Sequence, residues 1–407
     1  MRISTSMMYD MGVSRLTDLQ SSLVKTQQQI STGKRVLTPS DDPVAAAAAL
    51  GVSQAISMND QYTVNRNNAK SALSQEESNL SSVTTLLQNI KTAVVAAGNA
   101  AYDDTQRQDL VTQLRNNYDE LLAIANTKDA QGNYLFGGYQ NGSAPFVQTA
   151  SGVSYVGDQG QRLLQVGAAR QMAVNDSGSS VFENNVTGNG RFVTAAAAGN
   201  TGTGIISAGS VADPSQLNGQ TYTLDFSVDA TTGAISYTYT DSSVVPLTPS
   251  APQPFVDGQS ITIGGTQFAI SGTPADGDQF TVTPSTKQSV FDTLDDLITT
   301  LSQPGSGSVN QAKLANGLSA ASLNIDSALN NVSAVRASVG SRLAELDDLD
   351  SAGSDLGIQY TQTLSDLQDI DATEAYSSLT QQQYTLQAAQ QSFITISGLT
   401  LFNYLDT

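Results

Sequence analysis

Apolar positions recur along the C-terminal third of the chain in alternating steps of four and three. The series runs Leu314, Leu318, Ala321, Ile325, Ala328, Val332, Val335, Val339, Arg342, Leu346, Leu349, Gly353 and Leu356, and eleven of these thirteen are aliphatic. A seam of that period predicts a coiled-coil helix of about six heptads, about 65 Å long at roughly 1.5 Å per residue. The N-terminal third carries a matching run at Leu73, Glu76, Leu80, Val83, Leu87, Ile90 and Val94. A shorter one follows at Leu110, Leu114, Leu121 and Ile124. One long helix cannot bury such a stripe alone. The three segments are expected to pack as a rod-like bundle.

The extreme ends share the rhythm in weaker form. Val13, Leu16, Gln20, Leu23, Gln27 and Ile30 follow it, as do Tyr376, Leu379, Gln383, Leu386, Gln390 and Phe393. Beyond them, "FITISGLTLFNYL" is strongly apolar. Ile3, Met7, Val13, Leu16, Leu23 and Ile30 are expected to pair with Leu379, Leu386, Phe393, Ile396, Leu399 and Leu401 as an assembly interface. Glutamine at seam positions weakens such a pair. In a monomer it is expected to be marginal and largely disordered. It would order when neighbouring subunits cover its other faces, with apolar burial supplying the energy.

Between the two helical zones the period changes to two. "YTLDFSVDATTGAISYTYT" alternates around a Thr-Thr-Gly turn, and "QSITIGGTQFAIS" around Gly-Gly. "DGDQFTVTP" reads as one more strand after a turn. "GNYLFGGYQNGSAPFV" and "SYVGDQGQRLLQVG" read as a hairpin region attached to the bundle. The predicted fold class is mainly α with an inserted β domain. Residues 1–40 with 365–407 are expected to form a terminal helical assembly domain. Residues 41–189 with 286–364 would form a helical rod domain carrying the hairpins, and 190–285 a small outer β domain.

The stretch "QQQISTGKRVLTPSDDPVAAAAAL" (27–50) breaks the first helix from the second. Gly33 suits the left-handed conformation that ends a helix. Lys34 and Arg35 sit at the negative pole of that helix. Pro43 suits the first turn of the next helix, Asp42 its N-cap, and Asp41 adds favourable charge there. Two adjacent carboxylates without a basic or metal-ligand pattern read as capping, not as a catalytic dyad.

Composition narrows the chemistry. The chain of 407 residues contains no Cys, His or Trp, so disulfides, thiolate chemistry, Cys- or His-bound zinc and a Ser-His-Asp triad are excluded. A net charge of −19 argues against binding a nucleic-acid backbone or an anionic membrane surface. No apolar run reaches the roughly 20 residues that span a bilayer. The N-terminus lacks the pattern of a cleaved signal peptide. The chain is therefore expected to be cytoplasmic, or to leave by a route that reads no cleaved signal.

Isolated motifs read as structure. "GNTGTG" (199–204) lacks the Lys-Ser/Thr ending of a P-loop. "DGDQF" lacks the full calcium-loop ligand pattern. "AELDDLDSAGSDLG" reads as a solvated helix face. Arg336 and Arg342, on or beside the seam, are expected to pair with carboxylates at rod-domain contacts. No catalytic residue, cofactor or metal ligand is predicted. A carboxylate enzyme or a surface-binding module in the β domain are the competing classes. Deleting about 190–285 separates them from an assembly role, which should survive the deletion.

Three stretches carry a family resemblance. "ISTGKRVLTPSDDPV" resembles the N-terminal signature of the flagellin-family axial proteins of the bacterial flagellum. "VSAVRASVGSRLAEL" (332–346) is similar to the matching C-terminal motif, and "YTLQAAQQSFITISGLTLFNYL" completes it. "TPSDDPVAAAAAL", "YLFGGY", "NDSGSSVFENN" and the "LFNYL" ending look most like the members at the junction of hook and filament. Filament flagellin is the alternative. The resemblance covers roughly 1–190 and 286–407. It implies a terminal helical domain built from both chain ends, a helical rod and a variable outer β domain. It further implies export through the flagellar type III channel without a cleaved signal, aided by a chaperone. The partners it implies are further copies of the chain in a ring, a hook-side junction protein and flagellin.

Overall fold

The computed structural model describes residues 5–99, 102–150 and 152–398. Its helices are α1 (Thr5–Thr32), α2 (Pro43–Ala97), α3 (Asp104–Ala125), α4 (Val290–Ser302), α5 (Ser308–Gln368) and α6 (Ala372–Gly398). The strands lie between α3 and α4. This is the mainly α fold with an inserted β region that the change of period predicts. The chain divides into two compact units, Met1–Val64 with Asp348–Thr407, and Asn65–Asp347. Ile3, Leu399 and Leu401 lie outside the described residues.

In the larger unit the four-three seam becomes the core. Leu73, Glu76, Leu80, Val83, Leu87, Ile90 and Val94 of α2 are all buried, as are Leu318, Ala321, Ile325, Ala328, Val332, Val339 and Leu346 of α5. The two helices run antiparallel. Lys91 pairs with Asp326, Arg336 with Glu77, and Lys70 with Asp347. On α3 the buried stripe is Arg107, Val111, Leu114, Tyr118, Leu121 and Ala125. The expected positions Leu110 and Ile124 are only half-buried, one residue off that stripe. Asp103 opens α3 with a capping box, and Ser289 accepts the Phe291 N–H at the start of α4. Tyr118, Phe136, Phe146, Phe182 and Phe291 form an aromatic cluster with ring centroids 5.3–6.1 Å apart where α3, α4 and the first hairpin meet.

The β region has two main sheets. One is antiparallel and five-stranded, ordered Gln253–Pro254, Ile235–Asp241, Tyr222–Val228, Gln279–Pro284 and Phe192–Ala196. The other joins Ser260–Ile263, Thr266–Ser271 and Ile205–Ile206. Between them lie Phe192, Leu224, Phe226, Phe268, Ile270 and Phe280, all buried. Both hairpins predicted from alternation are present in register, Tyr237 opposite Phe226 and Phe268 opposite Ile261. Asparagines on one face of α5 fix the path of this region. Asn316 binds the Gly204 carbonyl and the Ile206 N–H, Asn324 the Gly188 N–H, and Asn331 the Ser180 and Val181 carbonyls.

Candidate assembly interface

The smaller unit is built around α1 packed against α6. The pair is antiparallel. Tyr9 and Phe393 meet at one end, with ring centroids 5.1 Å apart. At the other end the Ile370 N–H donates to the Gly33 carbonyl over 3.0 Å, and the Arg35 N–H donates to the Gln368 carbonyl over 2.7 Å. On α1 the described positions that are not exposed are Gly12, Leu16, Leu19, Leu23, Thr26, Gln29 and Ile30, and on α6 Ala375, Ser378, Leu379, Gln382, Leu386, Ala389 and Phe393. All but Gln29 and Ser378 follow one four-three series on each helix, the seam. Of the expected interface residues, Leu16, Leu23, Ile30, Leu379, Leu386 and Phe393 lie on this seam. Met7 and Val13 on α1 and Ile396 on α6 stay exposed, at 57, 41 and 59%. Leu19 and Thr26 take the seam places expected for Gln20 and Gln27, which are exposed. Apart from Thr26 and Ala375, the seam side chains are half-buried. Two helices alone leave each stripe partly open to water.

Residues 33–42 turn the chain from α1 into α2. Gly33 adopts φ +69°, where a side chain would be strained. The Asp42 carboxylate accepts the Ala45 N–H at 3.0 Å and so caps α2, whose first residue is Pro43. That bond, with the Arg35 guanidinium 3.3 Å away, holds Asp42 below the usual carboxylate range. Asp41 ties the linker to α1. It pairs with Lys25 at 2.6 Å and accepts the N–H groups of Leu37 and Thr38. The bond from Lys25, then that from Thr38, pulls its pKa down to about 2. Both carboxylates are engaged in structure.

In the larger unit Arg336 donates twice to Glu77, over 2.9 and 2.6 Å, and once to Thr84. Arg342 donates to the Ala173 carbonyl and to Asp176. Asp176 in turn donates its N–H to Glu76, which is buried on the α2 seam. The second carboxyl oxygen of Glu76 is buried without a hydrogen-bond partner. Burial first, then Asp176, pushes the Glu76 carboxyl up to about 8. Glu76 was visible in the sequence only as a charged residue at an otherwise aliphatic position.

Residues 3–141 match the family described as the bacterial flagellin N-terminal helical region. Over 403 residues, 99% of each chain, the sequence is 32% identical to flagellar hook-associated protein 3 of Escherichia coli. The chain belongs to the hook-associated protein 3 family. The crystal structure of hook-associated protein 3 from Legionella pneumophila superposes with a TM-score of 0.74 at 31% identity, over 78% of this chain and 98% of that one. The flagellar junction protein FlgL from Legionella pneumophila gives 0.71 at 30% identity, over 79% and 100%. A member of the hook-associated protein 3 family is a structural part of the flagellum.

The loop features of this hook-associated protein 3 relative agree with a structural reading. The "GNTGTG" and "DGDQF" loops, far apart in sequence, meet in space. The buried Asp278 carboxylate accepts the Thr201 and Gly202 N–H groups at 2.8 and 3.0 Å, and the Ala275 N–H at 2.9 Å. The amides that a bound anion would need are taken by a side chain of the same chain. A Cβ at Gly202 would lie 2.3 Å from the Ala275 nitrogen, so this approach requires glycine. Among the described residues no group of three or more acidic side chains is placed to hold a metal ion. No described helix is long and apolar enough to cross a membrane.

Proposed function

We propose that this chain forms the junction between hook and filament of the bacterial flagellum. It does so as a ring of its own copies, between the hook-side junction protein (hook-associated protein 1) and flagellin. The observation that carries this reading is full-length similarity to hook-associated protein 3, joined to a terminal helix pair with half-open apolar seams. Residues 1–40 with 365–407 act as the assembly domain and order as neighbouring copies cover them. Residues 41–189 with 286–364 act as the rod, and 190–285 as the variable outer domain. Gly33, Asp41, Asp42 and Pro43 set the break between α1 and α2, and Arg336 and Arg342 hold rod contacts. The chain is exported without a cleaved signal, aided by a chaperone, and works outside the cell as a structural element without catalysis or cofactor.

Removing the gene tests the reading. Electron microscopy of the mutant cells is expected to show bare hooks, with flagellin shed into the medium. Normal filaments on the mutant would remove the junction role.

A further inference from the structure

Gly12 stands inside α1, where glycine is less favourable than alanine by about 1 kcal/mol. Nothing in the backbone calls for it, since its φ is not positive. Its surroundings do. A Cβ on Gly12 would lie 2.7 Å from two ring carbons of Phe393. The ring fills the place where a side chain on α1 would stand, and it packs against Tyr9 at the next turn. Phe393 is a knob and Gly12 the hole that receives it.

The rest of the seam is poorly suited to fix an alignment. Its middle carries Thr26, bonded back to Ser22, and Gln382, whose buried side-chain oxygen has no hydrogen-bond partner. Leucines at a four-three spacing repeat every heptad and tolerate a slip by one repeat. Two described contacts across the pair have no counterpart one heptad away. One is the pair of backbone bonds joining Gly33 to Ile370 and Arg35 to Gln368. The other is the Gly12–Phe393 contact. Gly12 lies 21 residues before Gly33, and Phe393 lies 23 after Ile370. At roughly 1.5 Å per residue these are nearly equal lengths of about 32 and 35 Å, so both points close in one alignment.

We propose that Gly12 sets the register of the terminal helix pair by seating Phe393, and is thereby a positioning residue for assembly. The proposal rests on the reading that this pair carries assembly. A seat of this kind has a signature that general packing lacks: exchanging knob and hole should restore it. In cells lacking the native copy, Gly12→Leu and Phe393→Ala are each expected to lose filaments. The double variant, which moves the bulk from α6 to α1, is expected to regain them. A photoreactive p-benzoylphenylalanine at position 393 of assembled flagella gives a second readout. Its cross-links are expected to map, by mass spectrometry, within residues 8–16 of the same chain. Normal filaments with Gly12→Leu, failure of the double variant to improve on it, or cross-links confined to other segments would each overturn the proposal. Because the gene deletion is read separately, bare hooks in the deletion together with normal assembly of Gly12→Leu would sink the register role alone.

Discussion

The two compact units treat apolar side chains in opposite ways. Asn65–Asp347 encloses a core in which Phe136, Phe182, Phe280 and Phe291 are fully buried. In the unit made from the chain ends, the described buried apolar residues are Val36, Ala45, Ala49 and Ala375. Met7, Met8, Met11, Val44, Leu50 and Ile358 of that unit stand in water instead. The sequences of both units carry seams of the same period. They differ in how much each seam can close within one chain. The parts of α2 and α5 that lie in the larger unit meet partners on several sides, whereas α1 and α6 have mainly each other. The larger unit therefore owes its stability to its own core. The terminal unit, on the assembly reading proposed above, is completed by what is brought to it.

Hydrogen exchange on the monomer is the strongest test of this contrast. Amides in 5–32 and 372–398 are expected to exchange orders of magnitude faster than those of Leu73–Val94. Comparable protection in both would erase the distinction. Next in size, Phe291→Ala empties the centre of the aromatic cluster and should cost about 3–5 kcal/mol. Calorimetry should show a lower Tm for the larger unit, with exchange in α1 and α6 unchanged. A fall in terminal protection would mean the units are energetically one.

Glu76 sharpens the comparison through pH. An unfolded chain ionises it above about pH 4.5, while the folded unit keeps it neutral up to about 8. The stability tied to this proton is therefore complete below pH 4.5 and lost as pH climbs towards 8. Thermal unfolding of the full chain should weaken over that window, and Glu76→Gln should flatten the dependence. An unchanged profile in the variant would count against a buried neutral carboxyl. The smallest effect is local. Gly33→Ala forces a side chain into the left-handed region at a cost of about 1 kcal/mol. It should speed exchange at Arg35 and Ile370 and leave the larger unit's Tm in place.

The long helices were legible because a period sustained over many turns leaves one face to bury. The hairpins were legible from alternation and turn glycines. The terminal seam was legible only in part. Leu16, Leu23 and Ile30 fit two four-three series, one through Val13, Gln20 and Gln27 and the other through Gly12, Leu19 and Thr26. Choosing between them needed the partner helix. Arg342 announced a carboxylate partner without saying which, since Asp176 lies 166 residues away along the chain. The meeting of Asp278 with the Gly202 loop has no periodic signal at all. Gly12 did leave a trace, as a glycine with no backbone reason to interrupt a helix.

The bridge between Lys34 and Asp369 has a mechanical meaning. One stretch of chain leads out of the α1–α6 pair and another leads in, and each by itself would be a narrow tether. Laced side by side through Arg35 and Ile370, with the Arg35 guanidinium also holding the Leu367 carbonyl, they become a two-ply strap. A single cord carries tension and lets torsion leak away. A laced strap resists winding, so a twist applied to either helix is passed across the joint to the other.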